Sequence, residues 1–322
     1  MNTLLKLRPL ALALTLGCLT LSCSDDDNNG DSGESLLVEA QSNASLSTFV
    51  EALERTGLDA TFNGNTNLTV FAPTNTAFVQ FLAQNGYATI NDVPEADLRE
   101  LLLNHTMQGS IEVGEFLTGF RKTMARGEAS ATNYLDMYVD TSTGIKINGT
   151  STVTTSNIEA SNGMLHIVDK VIALPTLMTF VRANADLSSL ENAILLHPDA
   201  ELEGEFDGSG TADPYTLFAP LNSAFSSFLT ELDITNLEAL TTPELQTTLT
   251  YHALSGTNAL SSGFTNNQTL ETMAGQNLTV SLTGGGKKIT DANSRVSTIT
   301  KTDIQAANGV LHLVDKVFLP IL

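Results

Sequence analysis

The sequence predicts an α+β fold made of two tandem copies of one domain. The segment Asn162–Pro175 returns almost unchanged as Asn308–Pro320, and the second copy begins 146 positions after the first. A repeat of this length is far longer than a solenoid unit and close to the size of one globular domain. Within each copy, helical periodicity comes first and strand-like alternation follows. This order favours an α+β arrangement over an alternating parallel sheet.

The composition argues against several classes of function. The 322 residues include 15 Lys and Arg against 36 Asp and Glu, a formal net charge of −21. The basic patch that nucleic-acid binding requires is missing, so no nucleic acid is expected as a partner. Aromatic residues make up only 6% and tryptophan is absent, which weakens the case for a stacking platform. Both cysteines, Cys18 and Cys23, lie near the N-terminus, so neither copy is expected to contain a disulfide or a thiolate metal site.

Residues 1–22 are predicted to be an export signal. Basic residues precede an apolar run that is too short for a transmembrane helix, which needs roughly 20 apolar residues. The run ends in Leu-Thr-Leu-Ser-Cys at residues 19–23, which resembles the lipobox of bacterial lipoproteins. Cys23 is therefore the predicted lipid anchor. Cys18 is a competing position, and an ordinary cleaved secretory signal is the alternative.

Residues 23–35 are expected to form a flexible, acidic tether, because no apolar residue follows Cys23 until Leu36. An acidic run directly after a lipidated cysteine resembles the signal that sends some bacterial lipoproteins to the outer face of the outer membrane. The sequence therefore predicts an exported protein that is lipid-anchored to the outer membrane and exposed on the cell surface. An inward-facing anchor with a plain spacer is the alternative.

Each copy opens with a predicted helix, and a short strand and a second helix follow. Ser45 is the expected N-cap of the first helix, and Asp186 stands in the same place in the second copy. The strand ends at a proline in the sequence Thr-Val-Phe-Ala-Pro-Thr-Asn-Thr-Ala-Phe at residues 69–78, and a close variant recurs at residues 216–225. Its asparagine is the predicted cap of the second helix, because the residue before it is Thr in one copy and Leu in the other.

Two features of the second copy have no counterpart in the first. The loop at residues 201–214 is longer and contains five acids and three glycines, so we expect it to be exposed. His197 lies next to Pro198 and is expected to be a surface residue.

The last part of each copy is predicted to be a meander of short antiparallel strands. A third helix leads into Asn104-His105 in the first copy and Tyr251-His252 in the second, and both copies then become rich in Thr, Ser, Val, Ile and Gly. The closing motif should make a tight turn into a final strand. The other strands are predicted at residues 134–139, 144–148 and 152–158, and at residues 278–282, 287–290 and 296–304.

Three doubled blocks resemble those of a known family. They are Thr-x-Phe-Ala-Pro-Thr-Asn-x-Ala-Phe, a Tyr-His pair and Asn-Gly-x-Leu-His-x-Val-Asp-x-Val, in the same order in both copies. The chain is similar to two tandem fasciclin domains, at residues 36–175 and 176–322. It departs from the family at Asn104, which stands in place of Tyr, and at Leu221, which stands in place of Thr. The resemblance implies a β-strand wedge flanked by short helices in each domain, and an extracellular module associated with adhesion.

The motif residues are candidates for a structural role or for a repeated site. A metal reading would pair two histidines of each copy and add the aspartate of the closing motif as a third ligand. No clustered carboxylates or His-x-x-x-His spacing support it, so we expect buried histidines that hold a helix end against the closing strand, with no metal and no cofactor. The predicted structural residues are Phe71, Pro73, Asn75, His105, Gly163, His166, Asp169, Phe218, Pro220, Asn222, Tyr251, His252, Gly309, His312 and Asp315.

No catalytic motif is recognisable. Asp169-Lys170 and Asp315-Lys316 are expected inside apolar strands, where such charges more often fix register or cap a turn than catalyse. The sequence therefore predicts a non-enzymatic surface adhesion or binding module. Its expected partner is an extracellular protein or polysaccharide, and it meets the membrane only through the lipid. The alternative is a carbohydrate-binding or hydrolytic surface protein with an acidic site, placed in the longer loop of the second copy.

Overall fold

The computed structural model describes residues 33–196, 202–208 and 214–322. The export signal, Cys18, Cys23, the tether up to residue 32 and His197 lie outside the described residues. None of the described helices combines the length and the apolar composition that a membrane span requires.

The first domain contains five α-helices and seven strands within the described residues. Its helices are α1 Leu36–Ser42, α2 Ser47–Arg55, α3 Asp59–Phe62, α4 Asn75–Gln84 and α5 Glu95–Asn104. Its strands are β1 Leu68–Pro73, β2 Thr106–Gln108, β3 Gly119–Gly127, β4 Ser130–Asp140, β5 Lys146–Ile147, β6 Ser151–Ala160 and β7 Gly163–Val168.

The second domain repeats this order of elements. Its helices are α6 Leu177–Ala183, α7 Ser188–Leu196, α8 Leu202–Asp207, α9 Asn222–Glu231 and α10 Thr242–Thr250. Its strands are β8 Tyr215–Pro220, β9 Ala253–Leu254, β10 Thr269–Glu271, β11 Asn277–Ser281, β12 Lys288–Thr290, β13 Val296–Ala306 and β14 Gly309–Val314.

Each domain has one seven-stranded sheet among its described residues. The first has the order β2-β1-β7-β6-β5-β4-β3, and the second has the equivalent order β9-β8-β14-β13-β12-β11-β10. The predicted α+β class is confirmed, and so is the antiparallel meander. The sequence did not predict that β1 and β7, like β8 and β14, pair in parallel. These strands come from opposite ends of each domain, and local periodicity carries no information about such a pairing.

The parallel pair separates two parts of each core. All six residues of β1 and all six of β7 are buried, as expected for strands covered on both faces. Because successive side chains alternate across a strand, Val70 and Ala72 pack with the helices, whereas Phe71 packs with strand residues such as Met137 on the other face.

The predicted N-caps Ser45 and Asp186 are wrong. Asn43 lies two residues earlier, and its side chain accepts a hydrogen bond from the Ser45 amide at 3.0 Å. Asn184 accepts one from the Asp186 amide at 3.1 Å in the same way. Each asparagine caps a short 3₁₀ turn that precedes the α-helix, and the periodicity of the apolar residues does not distinguish this turn from a first helical turn.

The expectation of an exposed loop in the second domain is wrong for α8. Leu202 and Phe206 of this helix are buried in the core. Two of the acids in the loop, Glu203 and Asp207, form ion pairs with Arg182 of α6. The segment is therefore partly a core element, corresponding to α3, and its acids are engaged with a neighbouring helix.

Candidate functional site

A glycine begins each closing strand where the backbone of the parallel strand passes close by. A Cβ atom on Gly163 would lie 1.9 Å from the carbonyl oxygen of Leu68, and one on Gly309 would lie 2.1 Å from that of Tyr215. Gly163 also has φ +149°, which side chains rarely allow. Only glycine fits at either position without displacing the neighbouring strand.

The asparagine before each glycine, Asn162 or Asn308, links the closing hairpin to the helices. Neither asparagine was among the predicted site residues. The Asn162 side chain accepts the Leu36 amide at 2.8 Å and donates to the carbonyls of Phe62 and Gly64 at 2.9 and 2.7 Å. Asn308 is equivalent, and it accepts the amide of Leu177 at 2.9 Å. The identical Asn-Gly pair in both closing motifs was the available signal.

The histidine of the closing strand bonds only to backbone groups. His166 Nδ1 accepts the Asn157 amide at 3.2 Å, and Nε2 donates to the Ile111 carbonyl at 3.0 Å. Its ring stacks on Phe71 with centroids 5.4 Å apart. Burial lowers the pKa of His166 below its usual value.

His312 repeats this arrangement in the second domain. Its Nδ1 accepts the amide of Asp303 at 3.2 Å, and its Nε2 donates to the carbonyl of Ala259 at 2.9 Å. The ring stacks on Phe218 with centroids 5.4 Å apart. Burial again lowers the pKa of the histidine.

The second histidine of each domain, at the end of α5 or α10, uses the opposite tautomer. His105 Nδ1 donates to the Leu101 carbonyl at 2.7 Å, and Nε2 accepts the Ile172 amide at 2.8 Å. His252 bonds in the same way to the Thr248 carbonyl at 2.7 Å and the Phe318 amide at 2.8 Å. Both rings are buried, and burial lowers both pKa values to about 4.

The two histidines of a domain do not share a ligand position. In each of the four rings one nitrogen donates and the other accepts, so no lone pair is left for a metal or for general-base chemistry. His105 reaches the segment after β7 rather than the strand itself, and His166 reaches the loop before β3. Among the described residues there is no cluster of three or more His, Cys, Asp or Glu side chains suited to a metal ion.

The residues before these helix-end histidines differ in their contacts. The Tyr251 hydroxyl donates to the Asn277 carbonyl and accepts the Ala292 amide, both at 2.9 Å. Burial raises the pKa of Tyr251. Asn104 is fully buried and donates to the Ile172 carbonyl at 3.0 Å, while its Oδ1 atom has no hydrogen-bond partner among the described residues. Where the second domain has a tyrosine bonded to the Asn277 carbonyl, the first domain therefore has an asparagine bonded to the Ile172 carbonyl.

Asp169 and Asp315 do not lie inside strands as predicted. Each is exposed and follows the last residue of the closing strand. The Asp169 carboxylate accepts the Thr152 amide at 2.7 Å, and that of Asp315 accepts the Thr298 amide at 2.7 Å. The carboxylates therefore fix the register of the neighbouring strand, while Lys170 forms no ion pair with any of the described residues.

The first block contributes a strand end and a bond between helices. Phe71 and Phe218 are buried beneath the histidine rings, and Pro73 and Pro220 are the last residues of β1 and β8. The prediction that Asn75 caps its own helix is wrong, because Thr74 caps α4.

Asn75 instead caps α2. Its Oδ1 atom accepts the Thr48 amide at 2.9 Å, and its Nδ2 atom donates to the Ala44 carbonyl at 3.0 Å. Asn222 makes the equivalent bond to the Ser189 amide at 2.9 Å. The partner lies 27 residues from Asn75 and 33 from Asn222, beyond the reach of a local capping rule.

One cavity of about 430 Å³ brings acids together where the two domains meet. Asp97, Glu100 and Glu128 line it together with Arg126 and Ala307. The Glu100 carboxylate accepts the backbone amide of Arg126 at 2.6 Å, so it is already engaged in the first domain. This acidic cavity is distinct from the loop of the second copy in which the sequence placed an acidic site.

A family model described as "Fasciclin domain" matches residues 44–175 and again residues 188–320. The chain belongs to the fasciclin domain family. The resemblance seen in the sequence is thereby confirmed, and so is the presence of two fasciclin domains in tandem. Fasciclin domains occur in cell adhesion proteins and in secreted or surface proteins.

The chain is similar to proteins from several groups of organisms. The transforming growth factor-beta-induced protein ig-h3 of Sus scrofa is 25% identical over 85% of this chain and 36% of its own length. Stabilin-2 of Mus musculus is 26% identical over 88% of this chain but only 10% of its own length. Protein sll1483 of Synechocystis is 30% identical over 46% of this chain and 77% of its own. The chain thus spans only a minor part of the two animal proteins.

A solved structure shares the fold of the fasciclin pair. It is described as a FAS1 domain pair from the insect cell adhesion molecule Fasciclin I, and it covers 87% of this chain and 98% of its own. The TM-score is 0.51 and the sequence identity is 17%. At this identity the likeness establishes the fold alone.

Proposed function

We propose that the chain is a non-catalytic adhesion or binding module, lipid-anchored to the outer membrane and exposed on the cell surface, whose partner is an extracellular protein or polysaccharide. Its family membership in both halves is the observation that supports this function most directly. The proposal assigns binding to the outer faces of the two fasciclin domains.

The contacts of the motif residues support a structural role for them. The four motif histidines donate and accept within the backbone, and the closing-motif aspartates each bond to a neighbouring strand. The histidine nitrogens have no free lone pair left to act on a substrate, and each carboxylate is held against its neighbouring strand. We therefore propose that the doubled blocks hold each fasciclin domain together, and that recognition occurs elsewhere on its surface.

The lipid anchor is tested by exchanging Cys23. We expect Cys23→Ser to move the full chain from the membrane fraction to the soluble fraction, because the thioether to the lipid cannot form on serine. Cys18→Ser is the matched control and should leave the protein in the membrane fraction. Membrane association that persists in Cys23→Ser would place the lipid elsewhere or exclude lipidation.

A second candidate function is carbohydrate binding or hydrolysis at an acidic site. The cavity lined by Asp97, Glu100 and Glu128 is the observation in its favour, since glycosidases work with a pair of carboxylates. A panel of polysaccharides incubated with the full chain and analysed for reducing ends tests it. Turnover that is lost in Glu128→Gln would overturn the non-catalytic proposal. The absence of turnover on every substrate would support the non-catalytic proposal.

A further inference from the structure

The sheet of the first fasciclin domain contributes side chains to the core of the second. Phe120 on β3 and Tyr138 on β4 are only 7% and 6% exposed, and they pack with the helices of the second domain. The Phe120 ring meets Phe180 of α6 edge-on at 5.2 Å. The Tyr138 hydroxyl donates to the Asn184 side chain at 3.1 Å. Separating the domains would expose this aromatic cluster to water.

A polar contact beside this cluster fixes the orientation of the two domains. The Asp136 carboxylate of β4 is 7% exposed and accepts Lys122 Nζ and the backbone amide of Gln305, both at 2.7 Å. Lys122 also donates to the carbonyl of Asp303 at 3.3 Å. Because the acceptors and donors come from both domains, these hydrogen bonds favour the observed placement of the two domains.

The backbones of the two domains also touch. The Ala129 amide donates to the Ala307 carbonyl at 3.0 Å, and the Ala307 amide donates to the Pro175 carbonyl at 2.7 Å. A Cβ atom on Gly127 would lie 2.6 Å from the Cα atom of Ala307. The contact therefore requires glycine at residue 127, although its φ is not one that disfavours other residues.

The second domain lacks the docking side chains of this hairpin. The strand registers pair Phe120 with Tyr138 in the first domain and Thr269 with Thr279 at the equivalent position of the second. The next alternate pair in the register is Lys122 with Asp136 in the first domain and Glu271 with Asn277 in the second. An aromatic pair and an ion pair are thus replaced by small and polar residues in the second domain.

The first domain lacks the receiving surface. The matching bonds from Leu36 to Asn162 and from Leu177 to Asn308 align α1 with α6. In this alignment Glu39 stands where the second domain has Phe180, and Ser42 stands where it has Ala183. In the closing hairpins, which share their register, Glu159 corresponds to Gln305. Glu39 and Glu159 would put carboxylates against the docking face.

We propose that the β3–β4 hairpin of the first domain is a docking surface whose one partner is the second domain of the same chain, so that the pair unfolds as one cooperative unit. The docking hairpin is present only in the first domain, and the surface that receives it is present only in the second. Once these two surfaces are joined within one chain, no matching surface is left through which a second copy could bind. The assignment does not depend on the adhesive function proposed above.

Gly127→Ala in the full chain tests this proposal by scanning calorimetry. We expect one unfolding transition for the wild-type chain, and in Gly127→Ala either two transitions or a midpoint lower by about 5 °C or more. Gly114→Ala is the matched control, because its Cβ atom would meet nothing within 4 Å and its φ is ordinary. Two separate transitions in the wild type, or equal curves for the two variants, would overturn the proposal.

Exchange of the aromatic pair gives an independent measurement. Phe120→Thr with Tyr138→Thr introduces the residues that the second domain has at the same positions. We expect faster proteolysis near Pro175 in this variant, and a wild-type chain that stays monomeric by light scattering as its concentration rises. If the wild-type chains associated head to tail and the double exchange abolished this association, the hairpin would bind another chain. That result would contradict docking within one chain.

Discussion

Gly163→Ala is expected to prevent the first fasciclin domain from reaching its native structure. The added Cβ atom would lie 1.9 Å from the Leu68 carbonyl oxygen, and both strands are fully buried and have a neighbouring strand on each side. Neither strand can move without breaking the hydrogen bonds of the parallel pair. We expect a loss of at least about 4 kcal/mol, measured by urea unfolding or seen as a loss of soluble protein.

Two other glycines separate the possible causes of this effect. Gly309→Ala meets the Tyr215 carbonyl at 2.1 Å without the unusual φ of Gly163, so it should be nearly as damaging. Gly109→Ala has φ +92° and open space around its Cβ atom, so it should cost only about 1 kcal/mol. If Gly109→Ala destabilised as much as Gly163→Ala, the close approach of the strands would not be the cause.

Acid is expected to destabilise the protein through its buried histidines. Burial lowers the pKa values of His105 and His252 from 6.5 to about 4, and lowers those of His166 and His312 as well. Well above pH 6.5 these rings are neutral in both the folded and the unfolded state, so their contribution to stability is complete. As the pH falls from there, the unfolded chain binds protons that the folded chain cannot. His105 and His252 should each remove about 3 kcal/mol by pH 4.

The pH dependence of urea unfolding between pH 7 and 4 measures this effect. His105→Asn with His252→Asn should lower the stability at pH 7 but flatten its decline toward acid, because asparagine does not titrate. Burial raises the pKa of Asp136, so protonation of this carboxyl acts in the opposite direction and offsets part of the loss. An unchanged slope in the double variant would show that the histidines are not protonated on unfolding in this range.

Local patterns in the sequence were sufficient for most of the fold. Apolar spacing located α4, α5 and their counterparts, and alternation located the meander, because these signals depend on neighbours within a few residues. The repeated closing motif indicated two domains, since the same hydrogen bonds recur in both. Contacts between distant segments could not be predicted. Asn75 resembles a cap of its own helix, and only the folded chain brings the Thr48 amide to it.

The contact between the domains was the largest feature that the sequence analysis missed. Each residue of the contact looks ordinary alone, since Phe120 and Tyr138 suit any strand and Phe180 suits any helix. A signal was nevertheless present in the differences between the copies, where an aromatic pair on one side corresponds to two threonines on the other. The family blocks consist of residues that the two copies share. Positions at which the copies differ, such as these, lie outside the blocks.

Attachment of whole cells tests the proposed adhesive function most directly. Cells that carry the full chain would be compared with cells carrying Cys23→Ser on surfaces coated with extracellular protein or with polysaccharide. We predict that cells with the anchored chain attach more strongly, that Cys23→Ser removes the gain, and that the coating is not degraded. Equal attachment on every coating, or release of soluble products from the coating, would contradict a non-catalytic surface adhesion module.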